Sequence, residues 1–534
     1  MQASLGHLRR RAELVMAIGL AAVYALAVAR ALQGRGSSLV VATIFVPFVI
    51  APLLILRRSP VPRAQALVLG ASATITGSLV MALLIATSPV IAIALPALAL
   101  TAIACARFPA AGLTGVFLAA GTFGSLSAFT PLSGQQLGDL LMAGLWLAAI
   151  WGWTMSGRRR PAWLWPGVAL LVAYVLLTAG EILTAQSTST GLQSFRASAW
   201  YMAAALLIAY APWSDAARAR MLRSIMFALA LVGGYATLRW AIGPAPQERA
   251  QAQQLLNNFL GGKLRPVGSF TSTKELASWM AMTIPFAAGM AVAGRGRTRL
   301  IAVAALGLST LAMFAADVRA GPTAAVPGVI VVLVLYQLSQ AFRGIRGPTL
   351  AIAVGATVLL GGGAFALTLG SNPDTGRRYQ AILNPASDSS YQARLVKWRT
   401  AIRDIDTAPL GHGLGTTGRV EQRYGRFANI GSVDVDNSYL KIAFEQGFFV
   451  MGLFAAALLL LLIGLARRAV VTLEPARAGP ALAACGTLVA MIVVFFVGNY
   501  VEGLPALGAW VLVGLGLSQF TGAVGEPGAQ LSGE

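Results

Sequence analysis

The chain has 534 residues, of which 57% are hydrophobic and only 11% charged, and it carries a formal net charge of +21. Its mean hydropathy of +0.72 lies outside the range of soluble domains and excludes an ordinary globular enzyme or a disordered chain. A basic chain attracts phosphate, but the arginines stand in small clusters between apolar runs and form no long stripe, so no nucleic-acid partner is expected.

Apolar runs of about 20 residues recur from end to end, each long enough to cross a hydrocarbon core of roughly 30 Å as a helix. They are continuous in Ala, Leu, Val, Ile and Gly, where a membrane β-barrel would show short alternating segments. The expected fold is therefore an all-α integral membrane protein, a polytopic bundle of about 14 to 16 transmembrane helices with a large, partly helical extracytoplasmic loop.

In chain order, residues 1–241 carry candidate spans near 13–32, 39–56, 64–86, 89–106, 110–129, 138–156, 163–184, 198–213 and 223–241. The first follows a basic stretch, "HLRRR", with no convincing small-residue cleavage site, and reads as a span and not a removed signal. Residues 242–466 form a core with candidate spans near 276–294, 300–316, 324–342, 349–369 and 440–466, and with two long loops over 242–275 and 370–438. Residues 467–534 add spans near 480–499 and 504–521 and a short tail. Cys105 and Cys485 both fall inside apolar runs, so they read as core residues and neither a disulfide nor a thiolate metal site is expected.

Alternate loops agree on charge. One side collects Arg9 to Arg11, Arg57, Arg58, Arg63, Arg107, "GRRRP" at 157–161, Arg218, Arg220, Arg223, "GRGRTR" at 294–299, Arg343, Arg346, Arg467, Arg468 and Arg477. By the positive-inside rule that side is cytoplasmic, and the two long loops face outward. Within the longer one, "DSSYQARLVKWRTAIRDI" opens with the capping candidates Asp388, Ser389 and Ser390 and places Leu395, Trp398, Ile402 and Ile405 on one face, the pattern of an amphipathic helix on the bilayer surface or across the end of the bundle.

Four outward segments carry polar residues that a plain connector does not need: "KLRPVGSFTSTKELASW", "AADVRAGPT", "YQARLVKWRTAIRDIDTAPLGHGLGTTG" and "SVDVDNSYLKIAFEQG". An arginine at the outer end of a span runs against the charge trend and calls for an anionic partner, and its planar fork suits phosphate oxygens. Arg265, Arg319 and Arg394 together fit a lipid-linked diphosphate; each alone is equally served by Asp317, Asp404 or a lipid head group.

In combination these segments resemble the O-antigen ligase and Wzy-type polysaccharide polymerase superfamily. The resemblance rests on Arg265, Gly268 and Phe270; on Val318, Arg319 and Ala320; on Arg394, Trp398, Pro409, Gly411, Gly413 and Gly415; and on Asp436, Asn437, Tyr439, Leu440, Glu445 and Gly447, over roughly residues 265–452. It implies a bacterial inner-membrane glycosyltransferase that moves a glycan from undecaprenyl diphosphate to an acceptor hydroxyl on a glycan or lipid at the outer face, with inversion, without a nucleotide sugar, a cofactor or a metal. The departing diphosphate needs charge stabilisation and the incoming hydroxyl needs a base. On that reading Asp436, Arg319 and Arg265 are catalytic, and Arg394, Asn437, Tyr439, Glu445 and His412 bind substrate. Ligases of the family carry a histidine where this chain has Asp436, which tilts the reading toward a polymerase, with a ligase to lipid A core or protein as the alternative.

Plainer readings stand beside these. Asp436 serves equally as base, as orienter of the acceptor or as the N-cap of the helix that follows. His412 is a base or an incidental loop residue beside a tight turn. Glu445 is expected to pair with an arginine or stay neutral, Glu181 to line the same cavity or reach the interface, and Lys441 to snorkel. The Asp-x-Asp of Asp434 and Asp436 matches nucleotide-sugar enzymes but stands on the wrong side for one. A transporter would show inverted repeats, and none is visible; a scaffold would tolerate loss of Arg265, Arg319 and Asp436.

Overall fold

A computed structural model describes residues 89–130, 134–156, 165–183, 185, 187–211, 213–255, 258–260, 262–342, 389–417, 435–472 and 475–521. The expected spans near 13–32, 39–56, 64–86 and 349–369, together with Asp388 and Asp434, lie outside these residues.

Every other expected span is a helix: α1 Pro89–Arg107, α2 Pro109–Phe129, α3 Gly134–Ser156, α4 Pro166–Gly180, α5 Thr188–Ala197, α6 Ala199–Tyr210, α7 Asp215–Ile242, α8 Pro246–Gln253, α9 Thr273–Ala293, α10 Gly296–Ala315, α11 Ala320–Phe342, α12 Ser389–Thr407, α13 Ser438–Val471, α14 Pro475–Val497 and α15 Leu504–Thr521, with α5, α8 and α12 outside the expected spans. Among the described residues, eight helices are long and apolar enough to cross a membrane and three more are shorter apolar helices. The protein is an all-α polytopic membrane protein. Its strands, among the described residues, are Phe259–Leu260 and Lys263–Leu264, a short antiparallel ribbon. The loop expected over 242–275 is thus structured, with α8 and the ribbon inside it.

The described residues divide into two compact units, one drawn from residues 1–112 and 140–151, the other from residues 113–139 and 152–534. In the first, the close fit of α1 to α3 depends on a small residue: a Cβ at Gly144 would meet the Thr101 side chain at 2.6 Å. Cys105 is buried there as a free thiol, as Cys485 is in the second unit.

The second unit is built around α9 and α14, the most buried of the spans. Small residues let them touch. A Cβ at Gly289 would stand 2.6 Å from the Cα of Ala483, and one at Gly486 would stand 2.8 Å from both Pro285 and the Gly328 carbonyl, so α9, α11 and α14 meet at backbone distance. The same contacts set direction. Gly479, near the start of α14, lies on Ala293, the last residue of α9, so the two helices are antiparallel.

Short connections then sort the loops onto two ends. One end holds the residues before α9, the turn 316–319 between α10 and α11, the start of α13 and the loop 498–503 between α14 and α15. The other holds exposed Arg295, Arg297 and Arg299, the start of α7 with Arg218, Arg220 and Arg223, and the end of α13, where Arg468 lies 4.2 Å over the Trp165 ring. Arg218 is tied down there by a 2.6 Å bond to the Ser518 carbonyl. The first end carries the candidate site.

Candidate active site at one end of the bundle

The central element is a helix that breaks. Within α13, Gly447 has φ 87° and ψ 165°, a left-handed value that only glycine adopts at no cost. In an unbroken helix the Phe444 and Glu445 carbonyls would accept from residues four further on. Here they accept instead from His412 N, at 2.8 Å, and Gly413 N, at 2.9 Å, while Phe448 N donates to the Pro409 carbonyl at 3.3 Å. The run "PLGHGLG" is therefore a backbone plug for the break, and its own glycines Gly411 and Gly413 turn at φ 92° and 95° to make the fit. Irregular backbone in a membrane helix persists only where its polar groups are satisfied again.

The plug continues into a buried charged cluster. Thr417 donates its backbone N–H, at 3.1 Å, and its hydroxyl, at 3.0 Å, to Glu445 Oε1. Lys441, one turn earlier on α13, is ion-paired to the same Glu445 oxygen and to Glu502 Oε1 at 2.9 Å. Ser194 of α5 reaches Glu445 Oε2 at 3.4 Å. Lys441 is 2% exposed and does not snorkel: it stands between two carboxylates in the protein interior, where its charge is compensated. The partner of Glu445 is accordingly this lysine and not an arginine. Glu181 opens a 3-10 turn, Glu181–Leu183, at the end of α4, is half-buried, and lies within electrostatic reach of Glu445.

Asp436 and Asn437 stand at the mouth of α13. The cap is Asn437: its Oδ1 accepts from Tyr439 N at 2.9 Å and Leu440 N at 3.1 Å, and its Nδ2 donates to the Phe496 carbonyl at 3.0 Å. The helix starts one residue later than the capping reading of Asp436 supposes, so Asp436 projects from the turn before it and pairs with Arg394, Nε to Oδ2 3.1 Å. Ser438 fastens the neighbouring loop, donating to the Gly498 carbonyl at 2.9 Å and accepting from Tyr500 N and Val501 N at 2.9 and 3.0 Å. Tyr439 donates to the Ile492 carbonyl at 3.3 Å.

Arg394 comes from α12, which lies across the end of the bundle on α13. Ala401 and Ile405 are fully buried, Ile405 packing on Ala443 and Phe444, and Trp398 stacks edge-on against Phe496 at 5.3 Å. Ile402, expected on this face, is 43% exposed. At 100° per residue the stripe through Arg394, Trp398, Ala401 and Ile405 is the one that meets α13, and Ile402 falls to its side.

The remaining arginines gather at the turn between α10 and α11. Arg265 donates to the main-chain carbonyl of Asp317 at 2.9 Å. Arg319, two residues on, is half-buried just before α11, and its carbonyl accepts from Thr323. The loop bearing Arg265 is itself anchored, since Gly124 N and Ser125 N both donate to the Ser269 carbonyl at 3.0 and 3.1 Å. Arg265 is thus joined to the Arg319 turn, and Arg394 to Asp436. His412 is exposed, stacked on the Phe444 ring at 4.3 Å, with Nε2 3.4 Å from the Asp404 carbonyl.

Glu502, Thr417 and Ser194 carry no functional signal in the sequence alone. One sign of the cluster was available, the i,i+4 spacing of Lys441 and Glu445 that lets a helix pair opposite charges; Glu502, beyond an intervening span, left none.

A family model described as O-antigen ligase matches residues 287–455, and no curated protein matches the chain. The matched segment runs from α9 past the break in α13 and includes Arg319, Arg394, His412, Asp436 and Glu445, while Arg265 precedes it. The protein is a polytopic membrane protein whose residues 287–455 are similar to the O-antigen ligase family.

Proposed function

We propose that the chain is an inner-membrane glycosyltransferase of bacteria that moves a glycan from undecaprenyl diphosphate to an acceptor hydroxyl on a second lipid-linked glycan, a polysaccharide polymerase working at the outer face. The observation that carries this reading is the Arg394–Asp436 pair at the mouth of the broken helix, inside the matched segment and at the end of the bundle away from the arginine clusters. Those clusters favour a cytoplasmic location for their own end, so the site end faces outward.

In the reaction the acceptor oxygen attacks the anomeric carbon from the face opposite the diphosphate. The new C–O bond forms as the bond to the diphosphate oxygen breaks, the electron pair leaves on undecaprenyl diphosphate, and the configuration inverts. Asp436, a quarter exposed and oriented by Arg394, takes the hydroxyl proton. Arg265 and Arg319, brought to one turn, bind the phosphate oxygens on which negative charge accumulates. Asn437 fixes the residue beside it by capping α13.

Complementation of a polymerase-deficient host tests this. Arg319→Ala and Asp436→Ala chains that insert at normal levels are expected to yield no long-chain glycan; full-length product from both would defeat the proposal. The description of the matching family as O-antigen ligase favours a second reading, transfer to lipid A core. A glycan ladder on carrier lipid, formed in vesicles without lipopolysaccharide, separates the two in favour of the polymerase.

A further inference from the structure

The Lys441 ammonium is ion-paired with Glu445 Oε1 and, at 2.9 Å, with Glu502 Oε1, and it donates to Thr417 Oγ1 at 3.4 Å. Lys441, Glu445 and Glu502 are 2%, 2% and 5% exposed. A buried cluster of this kind is weak evidence for stability, because apolar residues of similar volume often replace one without loss. What the charges add is direction, and the segments they join are those of the site.

Through Glu445 the ammonium reaches Thr417 and so the plug 409–417, which bears His412. Glu502 links it to the loop 498–503, whose Tyr500 and Val501 amides bond Ser438, and whose Gly503 N donates to the Ala197 carbonyl at 2.9 Å. Its own backbone N–H makes the first-turn bond to the Asn437 carbonyl at 3.0 Å, directly beneath Asp436.

We propose that Lys441 is a positioning residue for glycan transfer: it clamps the plug 409–417 and the loop 498–503 onto the first turn of α13, and so fixes where Asp436 and the plug present themselves to the substrate. It touches no reacting atom. The inference rests on the proposed function for its catalytic part, while the clamp itself has an independent readout.

The test uses the full chain in proteoliposomes with undecaprenyl-diphosphate-linked glycan as probe, and follows both turnover and hydrogen exchange at the His412 and Gly413 amides. Lys441→Met is expected to lower kcat on the order of 100-fold, as a misplaced group does, with KM changed by less than about two-fold. The two amides should lose protection, and Lys441→Arg should recover part of both. A Lys441→Met chain with kcat within about three-fold of the parent overturns the proposal, and so does a fall in kcat with the two amides still protected. Should Lys441→Met fail to insert, the triple variant Lys441→Met, Glu445→Gln, Glu502→Gln decides. Insertion with kcat still low supports the clamp; full recovery of kcat, or a second failure to insert, overturns it, because charge balance or folding alone would then explain the lysine. A parent chain that transfers no glycan would sink the proposed function and leave the exchange measurement to judge the clamp.

Discussion

Asp436 and Arg394 form an ion pair, Nε to Oδ2 3.1 Å, with the two side chains 25% and 29% exposed. A partly solvated pair of that kind contributes about 0–1 kcal/mol to folding, so its role is to be sought in the reaction. Arg394→Ala is expected to leave the melting temperature of the purified chain nearly unchanged while lowering transfer about ten-fold or more, through loss of the orienting partner. Asp436→Asn keeps the shape and removes the base, and transfer should fall by about 10²–10⁴-fold. An Asp436→Asn chain as active as its parent would remove Asp436 from the mechanism.

Gly447 and Gly452 lie five residues apart on α13 and should answer oppositely to the same change. A Cβ at Gly447 would stand 2.5 Å from the Pro409 carbonyl on a backbone at φ 87°, whereas one at Gly452 meets nothing within 4 Å. Gly447→Ala is expected to cost about 1–3 kcal/mol in backbone strain alone and to unseat the plug with loss of transfer. Gly452→Ala should be neutral or stabilising by about 0.5–1 kcal/mol, since alanine suits a helix interior. Thermal melting of both variants in one detergent checks the sign of each.

The helices were legible because a membrane span announces itself: about 20 apolar residues in a row need no tertiary information to be recognised. Arg319, Asp436 and Glu445 are legible as exceptions to that pattern, polar residues where a span ought to begin or end, and Arg394 as a cation on an amphipathic helix between spans. Their partners are not. Asp436 was equally readable as a cap, and only the backbone shows that Asn437 takes that place. Lys441 at a helix mouth looked free to reach water, because the carboxylate that holds it, Glu502, arrives from the far end of α14. Pairings between distant segments are fixed by how helices pack, and a single sequence records each side chain without its neighbour.

The face of α12 makes the same point in measurable form. Ile405 is fully buried on Ala443 and Phe444, whereas Ile402 is 43% exposed, although both fit an amphipathic stripe on spacing alone. Ile405→Ala should therefore destabilise by about 2–5 kcal/mol, the range for a buried isoleucine truncated in a packed site. Ile402→Ala should stay within about 0.5 kcal/mol of the parent. Equal effects would mean that α12 lies on α13 with a different side down.

Asn437 allows the cap to be separated from the charge beside it. Its Oδ1 serves Tyr439 N and Leu440 N, and its Nδ2 serves the Phe496 carbonyl. Asn437→Ala removes all three bonds and should cost about 1–3 kcal/mol, the loss of a cap together with a part-buried acceptor left without its donor. Asn437→Asp retains a good capping acceptor and gains from the helix N-terminus, but it turns a second acceptor toward the Phe496 carbonyl and sets a carboxylate next to Asp436. Its stability should fall between parent and Asn437→Ala, while its transfer rate should drop as far as that of the alanine variant, because the position of Asp436 depends on the bond to α14 as well as on the cap. If Asn437→Asp transferred glycan at the parent rate, the Phe496 bond would have no part in placing Asp436, and the helix cap alone would be sufficient to hold the mouth of α13 in its working geometry.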